Sequence, residues 1–132
     1  MTANTTTVRT SSFATSVILI VQFALGMGVN LYVTVPTHKA FFSTVFGQGA
    51  LAAHAIVGVV LLAAGVSTLI RSIRARRGLP WAILGLVAIL VAVGAGSGFV
   101  NSGSAAASMA MALATAVAML AYLIPVFTLS GR

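Results

Sequence analysis

Four apolar runs divide the sequence, and short polar segments separate them. The runs lie at about residues 13–35, 50–70, 80–100 and 106–128, and none of them contains Lys, Arg, Asp or Glu. A helix of about 20 residues rises ~30 Å, which is the thickness of the hydrocarbon core of a bilayer. The pattern therefore predicts an all-α, polytopic membrane protein that folds as a four-transmembrane-helix bundle.

The segments outside the runs are short and polar. Residues 1–12 are rich in Thr and Ser, and we expect a flexible cytoplasmic tail there, in front of a single transmembrane domain over residues 13–132. The loop over residues 36–49 begins with a proline, which ends the first helix. Its phenylalanines predict a short helix in the membrane interface. They are Phe41, Phe42 and Phe46.

The distribution of charge predicts the orientation. The sequence has seven Lys and Arg residues and no Asp or Glu. The chain changes sides at each predicted span, so all of these bases except Lys39 fall on the same side of the membrane. They are Arg9, Arg71, Arg74, Arg76, Arg77 and Arg132. Loops rich in Lys and Arg stay in the cytoplasm, so both termini are predicted to be cytoplasmic. The cluster over residues 71–77 is a topology signal, and such a cluster also binds anionic lipid at a membrane surface.

Composition excludes several classes of protein. Hydrophobic residues make up 60% of the chain and charged residues 5%, which is too apolar for a water-soluble domain. The bases lie between apolar runs and not on a polar domain, so we expect no nucleic-acid partner. Without Cys there is no disulfide and no thiolate metal site. Serine hydrolysis lacks an acid to orient a histidine. No catalytic residue is indicated, and whether the chain is an enzyme stays open, with a non-catalytic role favoured.

The polar residues in and beside the spans gather at one depth. By distance from the predicted span ends they lie in the outer third, opposite the arginines. They are Asn30, Tyr32, His38, His54, Asn101, Ser104 and Ser108. His54 is the central member, because an ionisable residue inside a span is rare, costly and therefore a candidate for function. We expect an outward-facing polar pocket around His54.

Helical spacing and a short internal repeat add a cofactor hypothesis. Gly58 lies one turn after His54 on the same face of the second span. The repeat relates the first two spans to the last two, and it aligns Met109 with His54. His and Met are a known axial pair for haem iron, and four-helix bundles hold cofactors between facing helices. His54, Met109 and Gly58 are thus the candidate ligands and groove for haem b, and binding of another metal stays open.

Glycines in the third run predict where helices approach closely. Gly94, Gly96 and Gly98 follow one another at alternate positions. Gly94 and Gly98 are four residues apart, which fits the small-xxx-small pattern of helix contacts in membranes. We expect all three glycines at contacts between helices.

Two stretches of the first half resemble a known kind of protein. VNLYVTVP at residues 29–36 and AAHAIVGVVLL at residues 52–62 resemble small four-helix integral membrane proteins of bacteria. The resemblance implies the same fold and a multi-pass location in a bacterial inner (cytoplasmic) membrane, and it brings no activity with it. We also expect the chain to join a homo-oligomer or a larger membrane complex within the lipid bilayer.

Three functions stay open at this point. The first is a non-catalytic subunit or small-ligand-binding module with a pocket around His54. The second is a b-type haem-binding or quinone-handling protein of electron transfer. The third is a small channel or transporter.

Overall fold

Five α-helices and no strand make up the part of the chain that the structure, a computed structural model, describes, which is residues 2–36 and 40–129. The helices are α1 (Thr2–Tyr32), α2 (Phe41–Phe46), α3 (Gly49–Ala75), α4 (Leu79–Ser102) and α5 (Ala105–Thr128). Helices α1, α3, α4 and α5 are each long and apolar enough to cross a membrane. The prediction of an all-α chain with four apolar helices of span length is confirmed, and so is the short helix in the first loop.

The four long helices form a ring in which each helix packs against two others. Helix α1 packs against α3 and α5, and α4 packs against the same two helices. The short α2 lies on α3 and α4. Short turns join α3 to α4 and α4 to α5, so successive long helices run in opposite directions. The side chains of all four helices meet along the centre of this ring.

All arginines of the described residues lie at one end of the bundle. They are Arg9 near the start of α1, Arg71 and Arg74 near the end of α3, and Arg76 and Arg77 in the turn before α4. We call this the arginine end, and the opposite end the α2 end. The start of α1 and the end of α5 also lie at the arginine end. A Cβ at Gly78, in the turn before α4, would lie within 4 Å of Val8, Pro125 and Leu129. Lys39 and Arg132 lie outside the described residues.

The centre of the bundle is filled by a buried apolar cluster, which we call the core cluster. Its members are Leu19, Leu61, Ala88, Ile89, Ala118 and Tyr122. The aromatic ring of Tyr122 lies on Gly85 of α4, and its hydroxyl lies beside Gly65 of α3. A Cβ at residue 85 would lie 2.5 Å from Tyr122 Cε2, so the ring occupies the space that any other residue would need. The core cluster therefore depends on two glycines.

Helix α1 begins well before the predicted first span. The structure differs from the tail expected over residues 1–12, because α1 already begins at Thr2. The hydroxyls of Ser11 and Thr68 hydrogen-bond at 2.6 Å, and those of Thr15 and Thr68 at 3.1 Å. Small hydroxyl residues let two helices approach closely and pair across the contact. This segment of α1 is thus held against α3 by polar contacts that an apolar pattern does not reveal.

The glycines of α4 do not all meet another helix. A Cβ at Gly96 would lie 3.2 Å from Met111 Sδ, and one at Gly98 would lie 3.9 Å from the Cβ of Ala107. At Gly94 nothing lies within 4 Å. Two of the three predicted contacts are therefore present between α4 and α5, whereas the prediction for Gly94 is wrong because this residue faces away from its neighbours.

Candidate functional site

A cavity of about 580 Å³ lies inside the bundle, between the core cluster and α2. All four long helices contribute to its walls, and residues of α2 line it on the side away from the core cluster. Most of the lining is aliphatic or aromatic. The polar lining residues are Gln22, Asn30, Ser97, Ser108, Thr115 and His54. Both the volume and the mixture of apolar walls with a few polar groups are typical of sites for small molecules.

Every long helix contributes at least one small residue to the cavity lining: Gly26 from α1, Gly58 from α3, Gly96 from α4 and Ala112 from α5. A Cβ at Gly26, Gly58 or Gly96 would meet the side chain of His54, Gln22 or Met111, respectively. The glycines therefore leave room for longer side chains in the cavity wall.

The polar centre of the cavity is a pair of side chains from α1 and α3. The amide Nε2 of Gln22 lies 3.3 Å from Nε2 of His54, within hydrogen-bonding distance. A Cβ at Gly26 would lie 3.0 Å from His54 Cε1, and one at Gly58 would lie 3.2 Å from Gln22 Nε2. Each glycine thus makes room for the polar side chain of the opposite helix. Gly58, proposed above as part of a haem groove, borders the glutamine instead.

In either orientation of the Gln22 amide, the pair leaves two N–H donors and an acceptor without a protein partner. If the amide donates to His54 Nε2, then the Nδ1–H group, the second amide N–H and Gln22 Oε1 remain. If the amide is turned over, His54 Nε2–H donates to Oε1, and both amide N–H groups and Nδ1 remain. Gln22 Oε1 and His54 Nδ1 are buried and make no hydrogen bond to the described residues. Neither atom is accessible as the side chains stand, so a ligand reaches them only after a side-chain rotation.

The cavity brings together three residues of the predicted polar pocket. Asn30, His54 and Ser108 all line it. The Ser108 hydroxyl donates to Asn30 Oδ1 at 3.3 Å and joins α1 to α5 near the α2 end. Gln22 was not predicted as a pocket residue, because it lies nearer the middle of its span. Its signal in the sequence is Gly26, one turn further on the same helix face.

The structure places the other predicted pocket residues elsewhere. Tyr32 is 86% exposed at the end of α1, and Asn101 is exposed near the end of α4. Ser104 precedes α5, and its hydroxyl accepts a hydrogen bond from the backbone N–H of Ala107 at 3.4 Å. Neither Tyr32, Asn101 nor Ser104 is among the residues that line the cavity. His38 lies outside the described residues.

The structure offers less support for haem ligation than for the Gln22–His54 hydrogen bond. Met109 borders the cavity, but its side chain is 65% exposed. Met111, two residues later, is the methionine that faces Gly96 across the α4–α5 contact. One nitrogen of His54 is held by the glutamine amide and the other is enclosed. Over residues 2–36 and 40–129, no group of three or more His, Cys, Asp or Glu residues is placed to bind a metal ion.

The core cluster forms the floor of the cavity. Leu19, Leu61, Ile89 and Ala118 belong both to this cluster and to the cavity lining. Below them lies the completely buried ring of Tyr122. The space at the α2 end is thus separated from the arginine end by packed side chains.

Neither a protein-family model, nor a curated protein, nor a solved structure matches the chain. Its function is therefore inferred from the residues and geometry of the cavity.

Proposed function

We propose that the chain is a small multi-pass membrane protein that binds a largely apolar small molecule and catalyses no reaction. Four apolar helices of span length support insertion into a membrane. The arginines at a single end of the bundle support a topology with that end and both termini in the cytoplasm. The cavity then lies in the outer half of the membrane. A bacterial inner membrane, and assembly into a homo-oligomer or larger complex, remain part of this proposal.

The observation that carries the proposal is the cavity of about 580 Å³ with the Gln22–His54 pair in its wall. Apolar walls favour a ligand that is itself mostly apolar, since a charged molecule would lose its hydration there. After a side-chain rotation, the pair can offer a ligand both a hydrogen-bond donor and an acceptor. A hydroxyl group satisfies both, because it donates and accepts at once. We therefore assign a hydrophobic ligand that bears a hydroxyl, and a quinol belongs to this class.

Packed side chains lie between the cavity and the arginine end, and this favours a binding module and not a continuous pore. A channel along the bundle axis would pass through the core cluster, where Tyr122 is packed against two glycines. Opening this path would require the ring to leave the space beside Gly65 and Gly85. A binding site needs no such rearrangement.

Two probes that differ in a single hydrogen-bonding proton test the ligand class. 2-Naphthol carries a hydroxyl, and 2-methoxynaphthalene carries a methyl ether that accepts but does not donate. Both are titrated against the detergent-purified protein, and binding is followed by probe fluorescence. We expect 2-naphthol to bind about tenfold more tightly, as one hydrogen bond of ~1.4 kcal/mol would give. The double variant Gln22→Leu with His54→Leu removes the acceptor of the hydroxyl proton in either orientation of the amide. It should reduce this preference to about twofold or less while keeping binding of the ether.

Two phenylalanine substitutions test the location of the ligand. Ala112→Phe places a ring in the cavity and should abolish binding of both probes. Val91→Phe adds the same ring on an exposed position of α4 and should leave binding unchanged. Unaltered binding in Ala112→Phe would show that the probes lie elsewhere and would overturn the proposal. An absorption spectrum with a haem Soret band that His54→Gln abolishes would support the haem hypothesis instead.

A further inference from the structure

A second, shallower groove lies outside the bundle, along the exposed face of α3. It runs from the middle of the helix to the arginine end, with apolar side chains first and two arginines last. Its lining includes Val59, Leu62, Val66, Ile70, Arg71 and Arg74. From these residues we infer that the groove binds one anionic phospholipid, whose phosphate lies between Arg71 and Arg74.

The spacing of the two arginines suits a phosphate. Arg71 and Arg74 are three residues apart on a helix, so their side chains start ~5–6 Å from each other on one face. Both are exposed. A guanidinium group presents planar N–H donors that bind phosphate oxygens in pairs, and two such groups can enclose one phosphate.

The apolar part of the groove suits an acyl chain. Val59 is 70% exposed, and Val66 and Ile70 are also exposed on the same stripe of the helix. From Val59 to Arg74 the helix rises ~22 Å. This is longer than half of a hydrocarbon core of ~30 Å, so a lipid tail can follow the groove through its whole leaflet. A free phosphate ion would leave this surface unused.

The charge of the groove also specifies its occupant. The chain contains no Asp or Glu, so no acidic side chain of the same molecule neutralises the arginines. A second copy of the chain would likewise bring no acidic side chain to this face. Anionic phospholipid supplies the missing negative charge and is abundant beside cytoplasmic loops rich in basic residues. The inference uses the membrane insertion proposed above, but it does not depend on the cavity or its ligand.

Two double variants with the same loss of charge distinguish a defined site from a diffuse basic surface. Arg71→Gln with Arg74→Gln removes the phosphate ligands of the groove. Arg76→Asn with Arg77→Gln removes two charges from the turn, outside the groove lining. Asparagine is chosen at residue 76 because the backbone there has φ 51°, a left-handed conformation that Asn tolerates. Circular dichroism checks that both variants keep the helix content of the wild type.

The measurement is retention of phosphatidylglycerol by the full-length protein in mild detergent, counted by native mass spectrometry. Phosphatidylcholine is the zwitterionic control, and glycerol 3-phosphate is the competitor without tails. We expect one phosphatidylglycerol per chain, a preference of tenfold or more over phosphatidylcholine, and no displacement by glycerol 3-phosphate. The groove variant should lose this preference about tenfold, whereas the turn variant should stay within about twofold of the wild type.

Three results would overturn the inference. Equal losses in the two double variants would mean a diffuse basic surface. Displacement by glycerol 3-phosphate at the concentration of the lipid would mean a phosphate site without a place for the tails. Equal retention of the two phospholipids would mean that the arginines select no headgroup. Because none of these measurements involves the cavity probes, failure here and failure of the proposed ligand class are separately visible.

Discussion

Replacing Gly85 with alanine tests how tightly Tyr122 closes the bundle. A Cβ at residue 85 would lie 2.5 Å from Cε2, 2.7 Å from Cζ and 3.0 Å from Cδ2 of the tyrosine ring. Ordinary contacts between carbon atoms are ~3.5–4.0 Å, so the ring or the helix must move by about 1 Å. The ring is completely buried, and its hydroxyl side is enclosed by α3 at Gly65. Movement of the ring therefore displaces α4 or α5.

The expected cost follows from these distances. Overpacking a core by one methyl group costs ~1–3 kcal/mol, and three ring atoms within 3.0 Å place Gly85→Ala at the upper limit. Alanine also favours a helix over glycine by ~0.5–1 kcal/mol, which offsets part of the cost. We expect the free energy of unfolding to fall by ~2 kcal/mol, which is a factor of about 30 in the folding equilibrium.

The assay is reversible unfolding in mixed detergent micelles, followed by circular dichroism. Gly94→Ala on the same helix is the matched control, because nothing lies within 4 Å of that position. It should be as stable as the wild type or more stable by up to ~1 kcal/mol. A double variant with Tyr122→Leu provides the second control. With the ring removed, Gly85→Ala should cost little, which gives a clear coupling energy between the two sites.

Two results would refute this reasoning. Equal stability of Gly85→Ala and Gly94→Ala would mean that the ring does not lie on Gly85. An equal cost of Gly85→Ala in the wild type and in the Tyr122→Leu variant would mean that the cost comes from another contact.

Two further predictions concern the link between α1 and α3 and the orientation of the chain. Thr68→Val keeps the shape of the side chain but removes its hydroxyl contacts to α1, and it should cost ~0.6–2 kcal/mol in the same unfolding assay. Thr128→Val removes a hydroxyl that donates to the backbone oxygen of Ile124 in the same helix, so it should cost less. An equal cost would contradict the prediction. Because the chain has no cysteine, Ser102→Cys and Arg77→Cys introduce single thiols. A membrane-impermeant maleimide applied to intact cells should label only Ser102→Cys, and the reverse result would invert the topology.

The long helices could be predicted because the property that defines them is local. Twenty consecutive apolar residues identify a span whatever lies beside it, and the helices α3 and α4 begin within one residue of the predicted starts at 50 and 80. The first helix was predicted too short. Its added segment is polar, and it is stabilised by a partner 57 residues away, since Ser11 bonds Thr68. No window of neighbouring residues contains that information.

The sequence indicates the level of the polar residues along the helices but not the directions of their side chains. His54, Asn30 and Ser108 line one cavity because antiparallel helices bring residues at the same depth to the same level. Gln22 was missed because the direction of its side chain depends on how α1 is rotated against α3. The rotation of α4 about its own axis likewise decides that Gly85, and not Gly94, faces another helix. Rotations of packed helices about their axes follow from the whole set of contacts, and the run of apolar residues does not specify them.

The packed side chains of the core cluster restrict how the protein could transport a ligand in the proposed topology. Transport against a gradient requires a site that is exposed to each side of the membrane in turn. Here the core cluster separates the cavity from the arginine end. In the proposed topology, a ligand in this cavity reaches the cytoplasmic end along the bundle axis only if the side chains of the core cluster move apart. A pump would therefore have to break the contact of Tyr122 with its two glycines in every cycle.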